Sequence, residues 1–257
     1  MAYFRRTGPA TFLATQHVGG AWDPRAQHVA PALGLLAHAV EVDRDRRRDD
    51  GLVLGRLAYD ILGTVAVAEV EVAVDVVRAG RTIELVEATL THGGRVVVRL
   101  RAWSLQPGDT RDVAATSLAT IAPPDAHPAW DASTVWPGGF IGSVEVRRLE
   151  TAPGRATSWV RSDVPLLADE PVSDLASAAR LLDIANGLTV RADPARVAFP
   201  NVDLTAHLTR SPRGEWVGLD TSVTFGPGGL GVTSSVLHDV HGPVGTLAQL
   251  LTVRPTG

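Results

Sequence analysis

The segment Pro31–Glu41 has no polar face. Leu33, Leu35, Leu36, Ala37, Ala39 and Val40 are distributed almost all round a helix that begins at Pro31, where the missing N–H of proline costs nothing. A helix of this kind has to be enclosed. The residues that follow can enclose it. Val70, Val72, Val74 and Val76 alternate with Glu71, Ala73 and Asp75, the period of a half-buried strand. Arg81–Thr91 reads as a second strand, His92-Gly93-Gly94 as a hairpin turn, and Arg95–Trp103 as a third strand. An apolar helix followed by an antiparallel meander predicts a sheet curved around the helix.

The layout then recurs. A second helix is expected over 172–186, with Asp174 as N-cap and Leu175, Ala178, Ala179, Leu182 and Ala185 as its buried stripe. Gly187 stands where a left-handed terminal residue belongs. Glu215–Phe225, Leu230–Asp239 and Val244–Val253 form the second meander, turning at Gly226-Pro227-Gly228-Gly229 and His241-Gly242-Pro243. Between the halves, Pro107, Pro123, Pro124, Pro128 and Pro137 mark a linker. The expected organisation is therefore 1–106, a linker over 107–142, and 143–257. The duplication lies in layout, not in residue identity.

Composition removes several chemistries. The chain has 257 residues, no cysteine, and arginine at all 24 of its Lys+Arg positions. Thiolate nucleophiles, zinc–thiolate sites and iron–sulfur clusters are excluded, as are Schiff-base and P-loop lysines. A net charge of −4 and a pI near 6.0 argue against nucleic acid as a partner. The opening MAYFRRTGPATF lacks the apolar run of a signal peptide. No stretch approaches the ~18 apolar residues of a membrane span. The expectation is a soluble cytoplasmic protein.

Particular words in the sequence carry a resemblance. In the first half they are Gly19-Gly20-Ala21-Trp22-Asp23, Gln27-His28 and Val77-Arg78-Ala79-Gly80-Arg81-Thr82. In the second they are Asn201-Val202-Asp203-Leu204-Thr205-Ala206-His207-Leu208, Pro212-Arg213-Gly214-Glu215-Trp216, Gly231-Val232-Thr233, Leu237-His238-Asp239-Val240-His241-Gly242 and Ala248-Gln249. In this order the chain resembles the double hot-dog acyl-CoA thioesterases of type II (TesB-like). The resemblance implies an α+β fold with two antiparallel sheets, each wrapped around a buried helix. It implies hydrolysis of an acyl-CoA to free acid and coenzyme A, a role in lipid metabolism, no cofactor and no metal. It also implies that an Asp, a Ser or Thr and a Gln jointly activate water, and Asp203, Thr233 and Gln249 match those positions.

Spacing offers a check on the last two. Thr233 and Gln249 each lie eight residues from His241, so a hairpin centred there without a bulge sets them opposite, with β-carbons about 5 Å apart. The hot-dog strand order implied by the resemblance, 1-3-4-5-2, puts Asp203 on the adjoining strand. A thioester needs only a placed water, a base and oxyanion donors. Asp203 is the expected base, with nucleophilic attack as its alternative role. The N–H groups of Val29 and Ala30, at a helix N-terminus, are the expected oxyanion donors, and Trp22 and His28 the expected channel residues.

Each residue also has an ordinary reading. Asp203 follows Pro200-Asn201, where an Asp commonly serves a turn. Thr233 is a good strand former, and His28 and Trp22 suit packing. Gln249 within an apolar strand is harder to dismiss, because a buried amide needs partners. The run Arg44–Asp50 reads as a solvated loop, with coenzyme A phosphates as the alternative. His238, Asp239 and His241 crowd a turn rather than forming a metal set. The first half shows no second Asp/Thr/Gln set, so one site per chain is expected, with Tyr59 and Asp60 its nearest polar candidates. The competing functions are a non-catalytic acyl-CoA or lipid-binding module and an enoyl-CoA hydratase. The hydratase lacks its Asp-x-Asn-Pro-x-His motif here. Hot-dog sheets expose an edge open to a second copy, making a homodimer a candidate assembly.

Overall fold

The apolar helix α1 runs from Val29 to Arg47 and buries Leu33, Leu35, Leu36, Ala37 and Val40. It is longer at both ends than the expected 31–41. The computed structural model describes residues 1–23 and 25–256. Its first half contains β1 (Phe4–Arg6), β2 (Thr11–Ala14), α1, β3 (Val53–Ile61), β4 (Glu69–Arg78), β5 (Ile83–His92) and β6 (Arg95–Leu105). Its second half contains β7 (Glu145–Ala152), β8 (Arg155–Arg161), α2 (Asp174–Ala179), α3 (Ala185–Leu188), β9 (Val197–Ala198), β10 (Asp203–Leu208), β11 (Val217–Phe225), β12 (Leu230–Asp239), β13 (Gly242–Thr252) and β14 (Arg254–Pro255). Short 3-10 turns punctuate the segment between the halves.

The run Arg44–Asp50 is not the expected loop. Arg44, Arg46 and Arg47 form the last turn of α1, where cations suit the negative end of the helix dipole. Arg47 and Arg48 converge on Glu84 of β5, at 2.9 Å and 2.7 Å, and Glu84 is buried. Hydrogen bonding from Arg47, then Arg48, holds the Glu84 carboxyl below the usual glutamate range despite its burial. Its contribution to stability is therefore present above the ordinary glutamate pKa and lost as pH falls below it. Glu84→Gln is expected to cost about 2 kcal/mol in urea denaturation at pH 7, since Arg47 and Arg48 each lose one of two counter-charges, keeping only Asp43 and Asp50. Glu87→Gln, whose partner Arg99 is 3.4 Å away on the exposed face, should cost no more than about 0.5 kcal/mol.

The sheet corrects the expectation of two. Twelve strands form one antiparallel sheet in the order β1-β2-β4-β5-β6-β3-β10-β13-β12-β11-β8-β7. The halves are joined because β3 and β10, the free edge of each, pair with one another, Ala58 opposite Thr205. Edge N–H and C=O groups left unpaired would be costly, and the partner half satisfies them. The outer edges are partly covered too. Phe4 N–H donates to Leu166 O and Ala168 N–H to Phe4 O; Trp130 N–H donates to Val146 O and Arg148 N–H to Pro128 O. These bonds cover only part of the outer edges, and β2 shields β4 only over Glu69–Glu71.

Pairing also exposes how regular the duplication is. Over the central parts of β3, β4, β5 and β6, adding 147 to a residue number gives its counterpart in the second half. Ala58 corresponds to Thr205, Val76 to Val223, Val86 to Thr233 and Ala102 to Gln249. Even the hairpin bulge recurs, between Leu90 and Thr91 and between Leu237 and His238.

The second helix departs from its expected form. Ser173, not Asp174, is the N-cap: its hydroxyl accepts from Ala176 N–H, and the Asp174 carboxylate accepts from Gly214 N–H. The α-helix ends at Ala179, a 3-10 turn covers Leu182–Ile184, and α3 follows. Gly187 lies inside α3 without a positive φ. α1 and α2 cross at Gly34, where a β-carbon would stand 2.6 Å from Arg180 Cβ and 2.8 Å from the Ala176 carbonyl oxygen. Beneath it, the Arg180 guanidinium donates to Val164 O and Ser162 O.

Candidate active site

Thr233 on β12 and Gln249 on β13 are register partners. The pairing arises from two offsetting features. The tight turn is Val240-His241, half a residue before the expected centre, and one extra residue, Val244, is accommodated by the bulge beyond it. Both side chains face the helices and are almost wholly buried. Among the described residues, the Thr233 hydroxyl and the Gln249 Oε1 have no hydrogen-bond partner. Burying such atoms without partners is costly, so the pair has binding capacity left over.

Asp203 does open the adjoining strand, but it does not join them. Buried Leu204 and Ala206 mark the helix-facing side of β10, and alternation turns Asp203 to the other side. There its Oδ1 accepts from Leu250 N–H at 2.6 Å, and its strand neighbour is Asp60. The expected Asp203–Thr233–Gln249 set is therefore not assembled. Tyr59, adjacent to Asp60, donates to the Leu33 carbonyl oxygen and ties β3 to α1.

The carboxylate that meets Gln249 is Asp183, in the 3-10 turn between α2 and α3. Its Oδ1 accepts from Asn201 Nδ2 at 2.6 Å and from Gln249 Nε2 at 3.3 Å. Burial pushes its pKa up to about 7, against the opposing pull of these two amides. Sequence held a signal for it. Asp183 is four residues after Ala179 and eight after Leu175, and so shares the apolar stripe of that helix. A carboxylate in such a position is rare unless it is partnered or used. No comparable signal singles out Asn201, which is brought to Asp183 only by the path of the chain into β10.

Asp183 lines a cavity of about 30 Å³ with Trp22, His28, Trp136, Ile141 and Phe199. That exceeds the ~15 Å³ a water molecule requires. Trp22, Trp136 and Phe199 meet edge to face, with ring centroids 4.9 to 5.8 Å apart. His28 and Trp22 come from the first half, so both halves build the site. His28 is the N-cap of α1, and its Nδ1 accepts from Ala30 N–H at 3.2 Å. Burial pushes its pKa down to about 4. The ring is therefore neutral at pH 7, and its 3.8 Å approach to Asp183 is not an ion pair. The Ala30 N–H, an expected oxyanion donor, is engaged by this cap. Val29 N–H remains without a partner among the described residues.

Comparison with known proteins bears on the family of the chain. Residues 18–105 match the model of the acyl-CoA thioesterase N-terminal domain, and residues 119–253 that of the C-terminal domain. The chain belongs to the acyl-CoA thioesterase family. It is a thioester hydrolase acting on acyl-CoA. Among solved structures, the acyl-CoA thioesterase II TesB2 of Mycobacterium marinum is 17% identical, with a TM-score of 0.69 over 99% of this chain and 95% of that one. A conserved hot-dog protein from Alicyclobacillus acidocaldarius is 15% identical, with a TM-score of 0.75 over 97% and 95%. The tesB protein of Mycobacterium avium subs paratuberculosis is 18% identical, with a TM-score of 0.66 over 98% and 96%. These likenesses show a hot-dog fold. No curated protein matches the thioesterase chain in sequence. Among the described residues, no helix is long and apolar enough to cross a membrane, and no three His, Asp or Glu side chains group as a metal site.

Proposed function

We propose that Asp183, Thr233 and Gln249 form the water-activating set of this thioesterase, with Asp183 in the role expected of Asp203. The observation that carries this reading is a buried carboxylate with a pKa near 7, beside two buried polar atoms that have no partner. A base poised near the working pH combines the ionised form with useful proton affinity. Asp183 takes a proton from water, the water oxygen bonds to the thioester carbonyl carbon, and the C–S bond breaks. The proton passes to the departing thiolate, giving the thiol of coenzyme A and the carboxylic acid, which then releases its remaining proton to solvent. Thr233 and Gln249 hold the water and the base in line. Asn201 keeps the carboxylate oriented. The α1 N-terminus, with Val29 N–H its open donor, supports negative charge on the carbonyl oxygen.

One site per chain fits the duplication. The first-half counterparts of Thr233 and Gln249 are Val86 and Ala102, both fully buried and apolar. Residues 1–106 then act as partner and wall, contributing Trp22 and His28, while 143–257 carries the reacting groups. We read the enzyme as cytoplasmic.

The pH dependence tests this assignment. As a base, Asp183 works ionised, so kcat/KM should rise through about pH 7 and level off above it. Stability should move the other way. A carboxyl with a raised pKa in the folded chain contributes most below the ordinary aspartate pKa, and that contribution is lost as pH climbs to about 7. Assays across pH 5 to 9 that showed a flat kcat/KM would reject Asp183 as the base.

A further inference from the structure

Beside the candidate active site lies a groove of about 550 Å³, lined by Trp130, Arg148, Glu150, Arg191, Asp193 and Pro194 among others. Its volume falls within the range of small-molecule sites. The groove and the Asp183 cavity are lined by neighbouring stretches of the chain. Val135 lines the one and Trp136 the other, and Trp136 Nε1 donates to the Gly187 carbonyl oxygen at 2.9 Å. The segment 190–199 runs along the groove from Val190 to Ala195 and reaches the cavity at Phe199.

The arginines here differ from most of the others. Arg191 is exposed, and among the described residues its guanidinium hydrogen-bonds only to the Pro153 and Val223 carbonyl oxygens, at 3.4 Å. Among the described residues it has no carboxylate within ion-pairing distance. The acids of the groove are already engaged. Glu150 pairs with Arg148, and the Asp193 carboxylate accepts from Ala195 N–H. Arg148 stacks on Trp130, its guanidinium carbon 4.7 Å from the ring centroid, and its Nε is buried without a partner. Between cavity and groove along the chain stands Thr189, whose buried hydroxyl also has none.

We propose that this groove seats the phosphorylated nucleotide end of coenzyme A, with the phosphates on Arg191 and the guanidiniums beside it. The inference rests on the acyl-CoA reading of the neighbouring site. Arg191, a guanidinium without a carboxylate partner among the described residues, suits phosphate oxygens, and Trp130 offers the aromatic surface a purine packs against.

The test uses three thioesters with one acyl group: acyl-CoA, its 3′-dephospho form and acyl-pantetheine. Wild type should prefer acyl-CoA over acyl-pantetheine in kcat/KM by at least tenfold. Arg191→Gln should raise KM for acyl-CoA by 10- to 100-fold and collapse that preference. Equal use of the three by wild type, or an Arg191→Gln variant that keeps the preference, overturns the proposal. Titrating coenzyme A alone into Asp183→Asn enzyme by calorimetry separates the two readings, because it requires no turnover. Adding Arg191→Gln should weaken that binding at least tenfold, and an unchanged Kd again overturns the groove. A failed Asp183 assignment would show instead as Asp183→Asn turning over normally with the acyl-CoA preference intact.

Discussion

Asp183→Asn should lower kcat for acyl-CoA hydrolysis by roughly 10³-fold, the scale of losing a placed general base. The amide has nearly the shape of the carboxylate and keeps an acceptor for Asn201 and Gln249, so the cavity should persist. At pH 8 the variant should also unfold at a higher temperature, by about 1 to 2 kcal/mol of added stability, because an ionised carboxylate is no longer held in a buried place. Near pH 4 that advantage should disappear, since the wild-type side chain is then neutral as well. Asp203→Asn is the informative companion. Its Oδ1 accepts from the Leu250 N–H on the far side of the sheet, and an amide oxygen can do the same. Activity within a few-fold of wild type is expected from it. A thousandfold loss in Asp203→Asn with normal rates in Asp183→Asn would reverse the assignment.

Gly34→Val should destabilise the protein by about 3 kcal/mol or more, among the larger effects available to a single substitution. On an exposed helix, replacing glycine would help, by up to ~1 kcal/mol for alanine. Here the first carbon added would already lie 2.8 Å from the Ala176 carbonyl oxygen and 3.0 Å from the Arg180 backbone nitrogen. Backbone cannot yield as a side chain can, so α1 and α2 must separate. That separation would also shift Asp183, which α2 leads into, relative to His28 at the start of α1. Urea denaturation should register the loss, and residual activity should fall further than the folded fraction explains. Gly63→Ala, where an added β-carbon meets nothing within 4 Å, should change stability by less than about 0.5 kcal/mol.

The central elements of the fold were legible because their signals are local. The apolar surface of α1 demands enclosure, and period-two valines reveal β4. Gly93 and Gly94, both at positive φ, define the turn between β5 and β6. The short edge strands β1, β2, β7 and β8 carry weaker alternation, and their roles depend on neighbours distant in sequence. Joining two sheets into one depended on β3 and β10 finding each other, for which no local pattern speaks. The Thr233–Gln249 pairing was readable from hairpin symmetry, although two departures from the assumed hairpin had to offset one another for it to hold.

The carboxylate was harder for a definite reason. Sequence position put Asp203 at the mouth of the correct strand, but a residue's face depends on strand phase, and the phase of β10 is set by Leu204 and Ala206 packing onto the helices. Asp183 gave the opposite difficulty: its place on an apolar stripe was visible, its partners were not. What the sequence by itself determined is the chemistry permitted, without thiol or amine, and the alternation of buried helix and curved meander, twice. Which carboxylate meets the buried Gln249 amide was decided only by tertiary structure. That choice depends on a 3-10 turn packing against a strand of the same half and beside the start of a helix from the other, and a meeting of that kind follows from the packing of the whole chain.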